Sequence, residues 1–153
     1  MTDDAQLRRD LRLRLTHSEL RPVYVSAEDI RRLPNKPQRL TDLGLVQGRD
    51  NLAQAIIVRL LTPRGELAAL GHPDYGSRLP ELIGSGNTAT NRNRVKLYIL
   101  ESLKQESRIA KVETVTVEPD PFMRDRVNVL LRVMPVDSST PLTIGPFALE
   151  LAP

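Results

Sequence analysis

Cysteine is absent from the 153 residues, tryptophan is absent, and the aromatic set is two phenylalanines and three tyrosines. Without cysteine there are no disulfides, no thiolate metal sites and no cysteine nucleophile. With so few aromatic rings, the core has to be aliphatic. No stretch approaches the ~20 apolar residues that cross a bilayer. The opening MTDDAQLRRDLRLRL is charged where a secretion signal needs an apolar run, so the expectation is a protein made in the cytoplasm, with no membrane insertion. Only two histidines are present, and within the stretch discussed below His72 and Asp74 are the only pair resembling metal ligands, too few for a site.

What is present has the composition of an ordinary globular chain, 40% hydrophobic and 27% charged, at the usual length of one domain. The formal net charge of +3 is unevenly distributed. Residues 1–40 carry nine Lys/Arg against six Asp/Glu, and the remainder carries thirteen of each. A basic N-terminal arm over residues 1–39 is therefore expected ahead of a compact domain over residues 40–153. Six interspersed acids and the scarcity of aromatics favour a solvated or partner-binding arm over a nucleic-acid surface. Within the arm, Leu7, Leu11 and Leu15 recur at helical spacing, yet Leu11, Leu13 and Leu15 alternate with arginines as in a strand. Both readings stand. Ser26 is positioned to cap a short helix through Ile30.

Asp50 and Asn51 are good capping types, and LAQAIIVRLL after them is apolar except for Gln54 and Arg59, which predicts a short buried helix. Thr62-Pro63-Arg64-Gly65 reads as a type I turn with proline second and glycine fourth. After the polar loop GSGNTATNRNR, Thr88 or Thr90 caps a second helix whose apolar stripe is Val95, Ile99 and Leu103, widened by Leu100. From Ile109 the period becomes two. IAKVETVTV needs a bulge near Glu113 or partial burial of both faces, RVNVLLRVM alternates cleanly with Val127, Val129, Leu131 and Val133 on one face, and TPLTIGPFALEL changes phase at Gly145-Pro146. The proline marks that last segment as an edge strand or one kinked there, and its apolar end resembles a strand that a partner can complete.

LTPRGELAALGHPDYGSRLPEL, Leu61 to Leu82, concentrates reactive residue types. A glycosidase needs two carboxylates across a sugar, and Glu66, Asp74 and Glu81 offer the groups without a spacing that fixes the pair. Acyl transfer would pair Ser77 with His72, but the G-x-S-x-G elbow is missing. Gly84-Ser85-Gly86 lacks the G-K-[ST] ending of a phosphate loop. The plain reading is a double turn. Arg78, between that turn and the apolar Leu79, Leu82 and Ile83, stands out as an anchor for an ion pair or a partner.

In order, these features are a buried helix ending LLTPRGE, then His72-Pro73-Asp74-Tyr75-Gly76-Ser77-Arg78-Leu79, an amphipathic helix, and Glu106-Ser107-Arg108-Ile109 opening a strand. The chain resembles the gene-25-like baseplate wedge family, the sheath initiators of contractile phage tails and injection systems, from about Leu43 to Val133. Its LAQAIIVRLLTPRGELAALGHPDYGSRL pattern is closer to versions from extracellular contractile injection systems. The family's junction is Glu-Pro-Arg, and Ser107 replaces the proline.

The resemblance implies an α+β fold, two main helices packed on a small antiparallel sheet with the last strand at the edge. It also implies a structural, non-enzymatic role, with no cofactor, in a baseplate assembled in the cytoplasm. The implied partners are other baseplate wedge proteins, the contractile sheath subunit and inner tube or hub proteins, with multiple copies in a ring. Candidate interface residues are Tyr75, Arg78, Glu106 and Arg108 at the motifs and Phe147, Leu149 and Leu151 on the last strand. The alternative is a peptidoglycan-cleaving, lysozyme-like enzyme using Glu66 or Glu81 with Asp74.

Overall fold

A computed structural model describes residues 8–16, 23–26, 28–32, 39–136 and 138–151. Its body is α+β. Two helices, α1 (Gly48–Leu61) and α2 (Ala89–Leu103), pack against one face of an antiparallel sheet in the order β7 (Ile109–Pro119), β8 (Arg126–Pro135), β9 (Leu142–Glu150). The last strand lies at the sheet edge, as its proline implied.

The core is aliphatic. α1 contributes Leu52, Ile56, Leu60 and Leu61; α2 contributes Val95, Ile99 and Leu103. The sheet meets them with Val117, the four alternating residues Val127, Val129, Leu131 and Val133, and Ile144 and Leu149. Each fully buried Val or Leu contributes about 1.5–3 kcal/mol relative to exposure, so these side chains carry most of the domain's stability. Leu100 is exposed and does not widen the stripe of α2. Thr88 is the N-cap of that helix, its hydroxyl accepting from Asn91 N at 3.2 Å.

The expected bulge in β7 is present. The register slips between Val112 and Thr114, at Glu113, and again between Ile109 and Lys111. A second irregularity, between Val129 and Leu131 of β8, lies opposite Gly145 and Pro146. It resolves the phase change in the last strand: Leu142, Ile144, Phe147 and Leu149 pair with Val133, Leu131, Val129 and Val127, all on the core face. One extra residue lets both halves of β9 bury their apolar side chains.

Three expectations are corrected. The short helix from Ser26 to Ile30 is not formed: Val23–Ser26 is strand β3 and Glu28–Arg32 is strand β4, paired antiparallel with β2 (Leu13–Thr16) and β5 (Arg39–Leu43). A single capped turn is too short to offset helix nucleation, whereas the β-branched run here has a pairing partner. The ambiguity at Leu11 to Leu15 resolves to strand, with β1 (Arg9–Leu11) pairing β6 (Leu45–Gln47); Leu7 lies outside the described residues. Helix α1 begins at Gly48, ahead of Asp50 and Asn51, and its first amide donates to the Arg8 carbonyl at 3.2 Å. A backbone acceptor from the arm does the work of a side-chain cap.

The turn after α1 is shifted by one residue. Glu66 N donates to Pro63 O at 3.2 Å, putting Gly65 third with φ +85°, as in a type II turn. The following loop then returns beside it. Ser77 N donates to Thr62 O and Arg64 N to Ser77 O, both at 2.8 Å, closing a parallel bridge between Pro63 and Ser77. Gly76 makes that approach possible: its φ is +105°, and a Cβ there would stand 2.5 Å from Thr62 O and 2.7 Å from Pro63 O. Gly76→Ala is expected to destabilise by about 3 kcal/mol or more, because main chain on both sides must move. Gly84→Ala, with similar φ but open space around it, is expected to cost only about 1–2 kcal/mol. Urea unfolding of the two variants beside the parent checks the contrast; equal losses would show that φ, and not the close approach, limits position 76.

Candidate functional site

The motif residues sort into two stations on either side of the Tyr75–Arg78 turn. At the first, Glu106 is the hub. It follows the end of α2, is only 7% exposed, and receives a forked pair from Arg108: Nε to Oε1 at 2.7 Å and Nη2 to Oε2 at 3.0 Å. The Arg108 amide adds a third bond to Oε1 at 3.3 Å. Arg59, from the last turn of α1 and 11% exposed, approaches Oε2 at 3.6 Å and lays its guanidinium over the Tyr75 ring, 4.4 Å from the centroid. Thus Tyr75, Glu106 and Arg108, separated by about thirty positions in sequence, meet through Arg59. The pairing is planar and two-pronged, which arginine supports and lysine does not.

Electrostatics follow from this packing. Burial works to raise the Glu106 carboxyl, but hydrogen bonds and charge from Arg108, joined by the charge of Arg59, outweigh it and hold the group below its ordinary 4.5. Hydrogen bonding to Glu106 raises Arg108. The Tyr75 phenol is raised by burial.

Around this hub opens a cleft of about 660 Å³. Arm residues Arg8, Arg9 and Asp10 form one wall, Asn51 and Arg59 of α1 another, and Glu106 to Arg108 the third. Four arginines face two acids there, so the cleft suits an anionic surface group. Gln54 helps fix the arm wall, donating to Leu11 O and accepting from Leu13 N, both at 2.8 Å.

Arg78 forms the second station. It makes a fork to Glu81, with Nε and Nη2 each 2.9 Å from a carboxylate oxygen, lies 3.9 Å from Glu101, and stacks over Tyr98 at 4.4 Å. This is the ion-pair anchor that its position between turn and apolar residues suggested. Glu81 is held below its ordinary range by the Arg78 bond.

The last-strand candidates lie differently from expectation. Leu149 is 2% exposed and Leu151 is 1% exposed, both within the chain's own core, and Phe147 is half-buried against it. Side chains already packed internally cannot fill a partner's pockets without unfolding the domain. What β9 presents outward is backbone.

The carboxylates proposed for catalysis lie at the surface and not in a dry pocket. Glu66, Asp74 and Glu81 are all exposed, and Asp74 pairs with Arg64 at 3.1 Å. Ser77 is buried with its hydroxyl donating to Leu60 O and accepting from Leu79 N, a structural role. Among the described residues no cluster of three His, Asp or Glu could hold a metal, and no helix is long and apolar enough to cross a membrane.

Arg59, Gln54 and Tyr98 carry contacts that sequence reasoning did not assign. For the first two the signal was visible: they are the polar interruptions in an otherwise apolar helix, and each makes a tertiary contact. Tyr98 gave no comparable sign.

The chain matches no protein-family model and no curated protein. A crystal structure of a "putative tail lysozyme" from Geobacter sulfurreducens is similar to it, with a TM-score of 0.55 and 24% identity over 66% of this chain and 90% of that one. The likeness is one of fold.

The linkage at Glu106 has a definite direction. Because its folded value is depressed, its contribution is complete above the ordinary carboxylate range and is lost as pH falls through the folded value. Glu106→Gln should therefore cost about 2 kcal/mol near neutral pH, leaving Arg59 and Arg108 facing each other, and the gap to the parent should narrow between about pH 5 and pH 3. Denaturant titrations across that range measure it; a constant gap would mean that Glu106 acts by shape and not by charge.

Proposed function

We propose that the chain is a non-enzymatic structural component of the baseplate of a contractile injection system or phage-like tail. In this reading it joins wedge subunits around the tube and initiates sheath assembly. The observation that carries the proposal is the open edge of β9. Its apolar side chains are satisfied internally, while among the described residues its backbone has a neighbouring strand on the β8 side only. A rigid, unpaired edge is a template for an incoming strand, supplying main-chain hydrogen bonds without rearranging the core.

Two further observations support the reading. The fold is similar to that of a protein named as a tail lysozyme. Of the motif residues behind the baseplate-family resemblance, Tyr75, Glu106 and Arg108 meet at one hub beside an arginine-rich cleft, suited to acidic groups on other wedge proteins. Tube or hub proteins and the first sheath ring would complete the surroundings, with several copies in a ring assembled in the cytoplasm.

The lysozyme name of the similar structure does not favour a catalytic reading for this chain. A glycosidase acid needs a carboxyl raised in a dry pocket, and here Glu81 is exposed, bound to Arg78 and lowered. Purified protein is expected to release no muropeptides from peptidoglycan; release that Glu81→Gln or Glu66→Gln abolishes would replace the structural reading.

The edge itself can be tested without disturbing the core. Thr143 and Ala148 lie on the face of β9 away from the apolar set. Replacing both with lysine places charge beside the open edge and should leave the unfolding midpoint nearly unchanged while reducing sheathed particles at least tenfold. Electron micrographs of particles from cells carrying the variant provide the count. Sheath of normal length and abundance would reject strand addition at β9.

A further inference from the structure

One of only two phenylalanines in the chain, Phe122, stands 91% exposed at the tip of the β7–β8 hairpin, with Met123 beside it also exposed. An apolar side chain on a loose loop would mean little. This one is on a braced turn. The Asp120 carboxylate accepts from Phe122 N at 2.8 Å and Met123 N at 3.0 Å through Oδ1, and from Asn128 Nδ2 at 3.3 Å through Oδ2. Asp120 N donates to Arg126 O and Arg126 N to Met123 O, closing the base of the turn.

The brace extends beyond the hairpin. Asn87, in the loop before α2, donates its amide to Arg124 O at 2.9 Å and Arg126 O at 3.0 Å, and Arg92 holds Asn87 in turn through its Oδ1 at 2.9 Å. From the other side Leu151 N donates to Asp125 O at 2.8 Å. Four separate segments therefore hold the tip in one shape. Ordering a contact loop on binding normally opposes affinity; here that cost is met in the fold.

We propose that this tip is a docking knob for a protein partner, which receives Phe122 and Met123 in an apolar socket and pairs a carboxylate at the socket's rim with Arg124. Arg124 is exposed and makes no ion pair among the described residues, whereas its neighbour Arg126 is bound to Glu150 at 2.8 Å. An aromatic with an adjacent free arginine is the usual make-up of an interface anchor. A lipid surface fits less well, since two exposed apolar side chains and one arginine fall short of the buried area and polybasic charge that hold a protein to a bilayer. A second copy fits less well too, because the cleft described above is lined by charged and polar residues with Val136 as its one apolar member. The knob is remote in sequence from the motifs and from the β9 edge positions 143 and 148. It rests on the assembly reading only in needing a particle partner.

The test uses the full chain in its native host with benzoylphenylalanine at position 122, cross-linked by light inside the cell and analysed by peptide mass spectrometry. The expected product joins position 122 to one other polypeptide at an apolar segment with an aspartate or glutamate within a few residues. Arg124→Glu should reduce that product at least tenfold, and Arg124→Lys should largely preserve it. Phe122→Ser, with an unchanged thermal midpoint, should reduce incorporation into particles at least tenfold. Cross-links only to lipid, only to another copy of this chain, or to nothing would overturn the proposal, as would normal incorporation of Phe122→Ser. If the Thr143/Ala148 lysine variant loses sheath while Phe122→Ser assembles normally, the knob fails and the assembly role stands. If both assemble normally, both fail.

Discussion

The forked pair between Arg108 and Glu106, with Arg59 drawn in beside it, is the constraint on which the rest of the body depends. It sits where α2 ends and β7 begins, so it fixes the angle at which the sheet leaves the helical layer. Arg59 links that junction to the last turn of α1, and by stacking on Tyr75 it links the returning loop as well. Three segments of the chain meet at this corner around one carboxylate. Such a pair adds little net stability over an apolar replacement, but it defines geometry, because removing any one partner leaves the others charged and poorly solvated.

The second arginine station reinforces the same loop from the opposite end. Arg78 stacks on Tyr98 of α2 and binds Glu81, while Ser102 of α2 donates to Gly76 O at 2.9 Å. Between the stations lies the parallel bridge of Pro63 and Ser77, which Gly76 permits by bringing two backbones into contact. The dense collection of glycines, prolines and polar residues between Leu61 and Leu82 is thus a rigid strap joining α1 to α2. Of its reactive residue types, Asp74, Ser77, Arg78 and Glu81 make hydrogen bonds or ion pairs within the chain.

Much of this was legible in sequence, for identifiable reasons. The alternation Val127, Val129, Leu131, Val133 specified β8 because one face of that strand is buried along its whole length. The bulge at Glu113 was readable as a conflict of phase between Val112 and Val115. The conflict around Gly145 was readable too, but its meaning was not: a phase change can turn a strand over or insert a residue, and only the pairing with β8 distinguishes the two. That is why Leu149 and Leu151 read as free for a partner and turned out to be core. The arm went wrong at Ser26, where a capping residue ahead of Glu28, Asp29 and Ile30 imitates a helix start and the partner strand of Glu28–Arg32 lies beyond two prolines. Arg59 was visible as a charge in an apolar helix, yet a single charge does not name its partner.

The junction also shows how a local constraint can be replaced by a different one. A proline at position 107 would hold φ there through its ring. Ser107 carries no such restriction, but the turn is closed on both sides of it: Arg108 N donates to the Glu106 carboxylate, Ile109 N donates to Glu106 O at 3.1 Å, and Val136 N donates to Arg108 O at 2.9 Å. A proline limits the unfolded chain as well as the folded one, whereas hydrogen bonds act on the folded state alone. The expected consequence is a junction as well defined when folded but more dependent on the ionisation of Glu106, since the same carboxylate that pairs Arg108 also closes the turn. Rigidity at this corner has become an electrostatic property of the fold.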